Sequence, residues 1–175
     1  MAEIELELTF LAKAIPSEIA SVAPVRLVDI YIPDGVEHPE LRLRQKGNAY
    51  EITKKVPLDG IDFSQHNEFT IPLSQREYQA LAATSQRIVE KDRYQVQIGG
   101  YPAEVDVFAG ALTGLVLIDF EFSSYESKAN FLPPSDICLN DVTQLEWLAG
   151  GVLAGKSYDD IAANLTQIGY TKIES

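Results

Sequence analysis

Acidic and aliphatic residues alternate without a break at the start of the chain. In the segment EIELELTF, Glu3, Glu5 and Glu7 are separated by Ile4 and Leu6. Because side chains i and i+2 of a β-strand share a face, the three carboxylates are expected on one side of a strand and the aliphatic side chains on the other. Carboxylate oxygens are the ligands that hard divalent cations such as Mg²⁺ and Mn²⁺ prefer. The pattern therefore predicts a strand with one face suited to binding metal.

Later segments carry pairs of like charge at the same spacing of two residues. The pairs are Arg42 with Arg44, Lys91 with Arg93, Glu104 with Asp106, and Asp119 with Glu121. Like charges on one face of a strand repel, so each pair needs counter-charges from a neighbouring strand or from a ligand. Arginine and lysine bind phosphate oxygens, so basic pairs beside metal-binding acids predict a metal-bound polyphosphate. The alternative that these residues leave open is an antiparallel sheet with one solvated, charged face.

Strands and turns account for nearly all of the chain up to residue 123. Strands are expected at residues 3–12, 25–32, 41–44, 49–56, 66–71, 86–98, 101–108 and 115–123. Two hairpins are indicated by the turn signals Gly47-Asn48 and Gly99-Gly100. The charged side chains are expected on the inner face of the sheet, and the apolar side chains point outward, beneath helices. This arrangement predicts a closed barrel with a polar lumen.

Helices are expected to flank this barrel. They are predicted at residues 74–84, 142–153 and 157–165. Ser74 as N-cap and Glu77 three residues later form a capping-box signal for the first of them. The expected fold class is α+β: an eight-stranded antiparallel β-barrel, or tunnel, with flanking helices. We expect residues 1–175 to form one domain, with the barrel at about 3–123 and the C-terminal helices at about 140–168.

The composition limits the classes of partner. The formal net charge is −12, which argues against a general nucleic-acid binder because such a protein needs a basic surface. No apolar run approaches the roughly 20 residues of a membrane span, and no signal peptide is visible. The one cysteine, Cys138, excludes an internal disulfide and is expected to be a small buried residue. These features predict a cytoplasmic protein that binds neither nucleic acid nor membrane.

The N-terminal motif resembles the hallmark of the CYTH, or triphosphate tunnel metalloenzyme, superfamily. That hallmark is ExExK on the first strand, commonly followed by Phe-Leu. The segment ELELTFL, which starts at Glu5, matches this register with Thr9 in place of the lysine. If the motif started at Glu3 instead, the Phe-Leu pair would not follow it at the expected distance, so the register that starts at Glu5 is preferred.

Further motifs match those of the superfamily in the same order along the chain. They are Tyr31, Arg42-x-Arg44, Thr53-x-Lys55, Lys91-x-Arg93-Tyr94, Glu104-x-Asp106 and Asp119-x-Glu121-Phe122. The superfamily's RxExE motif on the fifth strand reads His66-x-Glu68-x-Thr70 here, so an arginine and a glutamate are replaced. The resemblance covers almost the whole chain. It implies an eight-stranded antiparallel tunnel, a small-molecule triphosphate ligand and a divalent metal, Mg²⁺ or Mn²⁺, and it is compatible with a homodimer.

The resemblance also implies a role for each group of residues. The implied metal ligands are Glu5, Glu7, Asp119 and Glu121. The implied phosphate-binding residues are Arg42, Arg44, Lys55, Lys91 and Arg93. The implied catalytic residues are Glu5, Glu7 and Glu68, and either Glu5 or Glu68 would position the attacking water.

Three functions are compatible with this sequence. Metal-dependent hydrolysis of a triphosphate, with inorganic triphosphate ranked first, is the function that the resemblance favours. A class IV-type adenylate cyclase would use the same barrel. The loss of two cations, at Thr9 and His66, instead favours a weakened tunnel that binds polyphosphate or nucleotide without turnover. Because His38 and His66 have no Cys or His companion at metal-ligand spacing, both are expected in surface or turn positions.

Overall fold

The computed structural model describes residues 3–174, and its strands form one antiparallel sheet. The strands are β1 (Glu3–Ala12), β2 (Val25–Ile32), β3 (Leu41–Lys46), β4 (Ala49–Pro57), β5 (Gln65–Leu73), β6 (Ile88–Ile98), β7 (Tyr101–Ala109), β8 (Val116–Glu121) and β9 (Cys138–Asp141). Their order is β5-β4-β3-β2-β6-β7-β8-β1-β9, and β5 also pairs with β1. This additional pairing closes β1–β8 into a barrel and confirms the predicted eight-stranded tunnel.

Strand β9 was not predicted. It pairs with the last residues of β1, where Ala12 lies opposite Cys138, while the first half of β1 pairs with β5. Four residues are too few to show an alternating pattern, so this strand has no signal in the sequence. Cys138 is buried, as expected.

The first two predicted helices are shortened, the last is present with slightly shifted bounds, and one short helix after β8 was not predicted. The helices are α1 (Gln75–Ala82), α2 (Tyr125–Ala129), α3 (Gly150–Leu153) and α4 (Tyr158–Gln167), with 3-10 helices at Ser17–Ser21, Gly110–Leu112 and Glu146–Leu148. The predicted capping box is present, since Ser74 accepts a hydrogen bond from the backbone N–H of Glu77. None of the helices in residues 3–174 has the length and apolar character needed to cross a membrane.

The helix predicted at residues 142–153 is wrong over most of its length. Asp141 Oδ1 accepts a hydrogen bond from the backbone N–H of Thr143, which stabilises a turn where the helix was expected. A 3-10 helix at Glu146–Leu148 follows this turn, and within the predicted range only Gly150–Leu153 are α-helical, as α3.

The outward-facing aromatic residues of the barrel are covered by a loop, not by the C-terminal helices. Phe120 is fully buried and packs against Phe10 and against Phe131, which follows α2. Fully burying a side chain of this size stabilises a protein by about 1.5–3 kcal/mol, so this cluster holds β1 and β8 firmly.

The C-terminal segment instead closes one end of the barrel. Val89, Phe108 and Leu117 line the lumen at that end and belong to the same apolar cluster as Leu153 of α3 and Leu165 of α4. The charged part of the lumen therefore lies between this apolar plug and the opposite mouth.

Candidate metal and phosphate site in the barrel lumen

One cavity of about 650 Å³ occupies the lumen. Its lining includes all ten residues that the sequence predicted for the site: Glu5, Glu7, Arg42, Arg44, Lys55, Glu68, Lys91, Arg93, Asp119 and Glu121. The alternation of inward and outward side chains along each strand brings them together, since every one of them belongs to the inward set of its strand.

Lys55 bridges the two glutamates of the N-terminal motif. Its Nζ lies 2.6 Å from Glu5 Oε2 and 2.6 Å from Glu7 Oε1. Burial raises the pKa of Glu7 to about 7, against the influence of Lys55. Burial also acts on Glu5, but there Lys55 and Arg42 outweigh it and lower the pKa. One ammonium group is thus shared by two carboxylates.

Two further carboxylates face this pair from β8. Asp119 lies opposite Thr9, and Glu121 lies opposite Glu7. Burial is the main cause that raises the pKa of Asp119, with a contribution from Asp106. Burial likewise raises the pKa of Glu121. Raised pKa values mean that the carboxylates lack sufficient positive charge nearby, and a divalent cation would supply it.

His66 lies in this acidic cluster, so its predicted surface position is wrong. The residue is 7% exposed, and its Nδ1 makes no hydrogen bond. Burial, followed by Lys55, lowers the pKa of His66 to about 4, and the imidazole is therefore neutral at pH 7. The missed signal was the period of two in β5, which puts His66 on the same face as Glu68.

Arg42 is a cation of the lumen with a buried, unpartnered donor. Its Nη2 lies 3.6 Å from Glu68 Oε2, and its buried Nε has no hydrogen-bond partner. A buried guanidinium N–H without a partner is costly, and a phosphate oxygen is the partner that arginine binds best. This geometry suits the predicted role of Arg42.

Arg44 is held by a buried partner that the sequence reasoning missed. Its Nε and Nη2 each donate a hydrogen bond of 2.7 Å to Asp29, one to each carboxylate oxygen. Burial opposes the charged form of Asp29, but Arg44 more than compensates and lowers the pKa to about 2. The available signal was an acid in the otherwise apolar run Val28-Asp29-Ile30.

Lys91 and Arg93 share another buried carboxylate. Arg93 donates to Asp106 through Nε at 2.7 Å and through Nη2 at 2.6 Å, and Lys91 also contacts Asp106. Glu104 forms an ion pair with Arg93. The Glu104-x-Asp106 motif thus holds the basic pair of β6 in place.

The donor set of the cluster fits a divalent cation. The carboxylates of Glu5 and Glu7 and the imidazole of His66 offer ligand atoms that all lie within 4.8 Å of one another. Two of these groups carry atoms without hydrogen bonds, His66 Nδ1 and Glu5 Oε2, although the latter contacts Lys55. Oxygen and imidazole nitrogen are ligands of Mn²⁺ and related metals.

Known proteins resemble this chain in sequence and in structure. An inorganic triphosphatase from Nitrosomonas europaea is 37% identical over 131 residues, which cover 74% of this chain and 83% of the relative. The crystal structure of the inorganic triphosphatase NE1496 matches with a TM-score of 0.62 and 30% identity, over 86% of this chain and 93% of that one.

A more distant solved structure agrees in fold alone. It is a candidate adenylate cyclase from Bacillus halodurans, with a TM-score of 0.56 and 16% identity, over 93% of this chain and 97% of that one. No model of a known protein family matches the chain. The likeness to the Nitrosomonas relative nevertheless places the protein: the chain belongs to the triphosphate tunnel metalloenzymes of the CYTH superfamily.

Proposed function

We propose that this protein hydrolyses a triphosphate, with inorganic triphosphate as the first candidate, inside the lumen of its barrel. The observation that carries the proposal is the meeting of acids from β1 and β8 with cations from β3, β4 and β6 around one cavity of about 650 Å³. The 37% identity to a protein named inorganic triphosphatase supports the same conclusion.

The acidic residues of the lumen would hold the divalent cation, Mg²⁺ or Mn²⁺. They are Glu5, Glu7, Asp119 and Glu121. When bound, the cation would polarise the phosphoryl group and lower the pKa of the attacking water. These carboxylates would place the cation on the β1–β8 side of the lumen, where Lys55 contacts Glu5 and Glu7.

The basic residues would bind the phosphate oxygens. Arg42 offers an unpartnered buried Nε, and Lys55 offers an ammonium group that now lies between two glutamates. Lys91 and Arg93 are held by Asp106 before any ligand arrives. Cations fixed in advance stabilise the charge that develops on the phosphoryl group without reorganising during the reaction.

Glu68 is the better candidate for positioning the attacking water. Its Oε2 lies 3.6 Å from Arg42 Nη2 and its Oε1 accepts a hydrogen bond of 3.1 Å from Thr70, so its oxygens have no partner as close as the ammonium group at Glu5. Glu5 is in contact with Lys55 at 2.6 Å and belongs to the proposed metal ligands.

The ligand we propose is a small molecule enclosed by the barrel. Of the 14 lysine and arginine residues in the chain, six line the lumen. They are Arg42, Arg44, Lys46, Lys55, Lys91 and Arg93. The same cavity is lined by eleven acidic residues, so a triphosphate would enter it together with a divalent cation that offsets the excess of negative charge.

A second candidate function is binding of polyphosphate or nucleotide without turnover. The observation that favours it is the pair Thr9 and His66, which line the lumen and are both neutral at pH 7. Their positions correspond to a lysine and an arginine of the superfamily motifs. Each charge-assisted hydrogen bond contributes on the order of 1.5–3 kcal/mol, so their loss would slow hydrolysis severely.

Phosphate release separates these functions. The full chain is incubated with inorganic triphosphate, ATP or thiamine triphosphate and with Mg²⁺ or Mn²⁺, beside the variants Glu5→Gln and Arg42→Ala. Arg26→Ala is the control, because Arg26 pairs with Glu90 and Asp92 on the surface.

Metal-dependent release from inorganic triphosphate that survives only in the control variant would support hydrolysis in the lumen. Tight triphosphate binding by calorimetry with no release would instead support the binding function. Pyrophosphate and a cyclic nucleotide formed from ATP would identify a cyclase and overturn the proposal.

A further inference from the structure

His66 faces the acidic cluster from the strand beside it. It lies directly opposite Glu5 in the pairing of β5 with β1, and it lines the same cavity as Glu7. Ligand atoms of these three residues lie within 4.8 Å of one another. A single ion placed among them would contact two carboxylates and one imidazole.

The unpartnered nitrogen of His66 points to a missing ligand. The residue is 93% buried, and its Nδ1 makes no hydrogen bond. The nearest acid, Glu7, has its Oε1 3.6 Å from Nδ1, which is too long for a hydrogen bond. Buried polar atoms are nearly always partnered in native proteins, so a buried imidazole nitrogen beside two carboxylates calls for a bound group.

We propose that His66 is a nitrogen ligand of the lumen metal, together with Glu5 and Glu7, and that it makes the site selective for a transition metal such as Mn²⁺ or Co²⁺ over Mg²⁺. The inference rests on the proposed function for the position of the metal, but it concerns binding and does not require turnover. Magnesium prefers oxygen ligands, whereas imidazole suits the divalent transition metals.

Lys55 must yield when the ion binds. Its Nζ contacts both glutamates at 2.6 Å and so occupies part of the space in front of them. The lysine side chain has a flexible four-carbon stem, which lets the ammonium group move toward an incoming phosphate. Metal and triphosphate are therefore expected to bind cooperatively.

The other histidine of the chain provides a matched control. His38 Nδ1 lies 2.9 Å from Glu146 Oε1, and its ring stacks on Phe63 near the closed end of the barrel. It already has an acidic partner and does not belong to the cluster of Glu5 and Glu7.

The test uses the full chain with Mn²⁺ or Mg²⁺ alone. Calorimetry gives the affinity for each metal, and pulsed electron paramagnetic resonance of bound Mn²⁺ detects coupling to an imidazole nitrogen. The variants are His66→Leu, the milder His66→Gln, and the control His38→Leu.

We expect nitrogen coupling in the wild type and in His38→Leu. In His66→Leu the nitrogen coupling should be absent, and the affinity for Mn²⁺ should fall by about tenfold or more, with a smaller fall for Mg²⁺.

Bound Mn²⁺ without nitrogen coupling in the wild type would overturn the inference, and this measurement needs no variant to fold. Equal Mn²⁺ affinity in the wild type and both His66 variants would overturn it as well. Phosphate release measured on the same protein separates the two proposals. Nitrogen coupling without phosphate release would contradict the proposed hydrolysis and leave His66 as a metal ligand. Phosphate release without nitrogen coupling would support the hydrolysis and contradict the role of His66.

Discussion

Thr9 Oγ1 donates a hydrogen bond of 2.7 Å to Asp119 Oδ1 across the pairing of β1 with β8. The backbone N–H of Thr9 donates to Thr143 Oγ1 at 3.0 Å, which ties the same residue to the segment after β9. A hydroxyl group thus stabilises the charged form of Asp119 without adding positive charge to the lumen. Burial and the neighbouring Asp106 still raise the pKa of Asp119, so the position next to it is suited to a cation.

Replacing Thr9 by lysine should increase the activity of the lumen on triphosphate. The new ammonium group would lie beside Asp119 and could reach a phosphate oxygen, and one charge-assisted hydrogen bond corresponds to about tenfold or more in rate or affinity. Phosphate release and calorimetric binding of inorganic triphosphate measure the effect. Thr9→Met is the control, because methionine is similar to lysine in length but carries no charge. Equal gains in activity or affinity in both variants would contradict the role of charge.

Lys55 should be required for stability in the absence of metal. Lys55→Met leaves Glu5 and Glu7 without their shared cation, and breaking such a buried group typically costs about 3–5 kcal/mol. We expect a lower unfolding temperature, which Mn²⁺ raises more in this variant than in the wild type because the ion no longer competes with an ammonium group.

The neighbouring Lys54 supplies the control for that experiment. Its side chain is 54% exposed, and its Nζ lies 3.7 Å from Glu40 Oε2. If Lys55→Met unfolds at the same temperature as Lys54→Met, or if Mn²⁺ stabilises both equally, Lys55 does not hold the acidic pair together.

The barrel could be predicted because its strands alternate strictly. A period of two in β1, β3, β6, β7 and β8 puts the charged residues on one face, and the order of the motifs then identifies the tunnel. The C-terminal segment has no such regularity. Asp141 Oδ1 accepts a hydrogen bond from the backbone N–H of Thr143, and the resulting turn stands where the expected helix would begin. A hydrogen bond between one side chain and the backbone leaves no periodic pattern in the sequence.

The ten predicted site residues lie around one cavity because the alternation determines which face each side chain occupies. The partners of those residues could not be predicted in the same way. Asp29 meets Arg44 only because β2 and β3 pair in this register, and His66 meets Glu5 only because β5 closes the barrel on β1. Register between strands depends on tertiary packing, which local spacing does not reveal.

The Asp29–Arg44 pair should make stability depend on pH at the acidic end of the range. The pKa of Asp29 in the folded protein is about 2, below its ordinary value of 3.8. The stabilisation is therefore complete above the ordinary pKa and is lost as the pH falls through the folded value. The wild type should lose about 2 kcal/mol between pH 4 and pH 2 from this group, a contribution that Asp29→Asn lacks.

Urea unfolding at a series of pH values measures this difference. At pH 7, Asp29→Asn should be less stable by about 3–5 kcal/mol, because Arg44 stays buried without a carboxylate. Asp92→Asn is the control, since Asp92 pairs with Arg26 at the surface. The prediction fails if wild type and Asp29→Asn lose stability in parallel as the pH falls.

Gly150 should be required for the contact between the C-terminal segment and the barrel. A Cβ at this position would lie 2.1 Å from Tyr31 Oη and 3.1 Å from Tyr31 Cζ, and Tyr31 is buried. Gly150→Ala should therefore destabilise the protein by about 1–3 kcal/mol, as overpacking of a core does. Tyr31→Phe removes the oxygen and should restore most of this loss in the double variant.

Gly35→Ala is the control, because a Cβ there meets nothing within 4 Å. Unfolding in urea measures all four variants, and simple additivity of the two changes at Tyr31 and Gly150 would show that they do not clash.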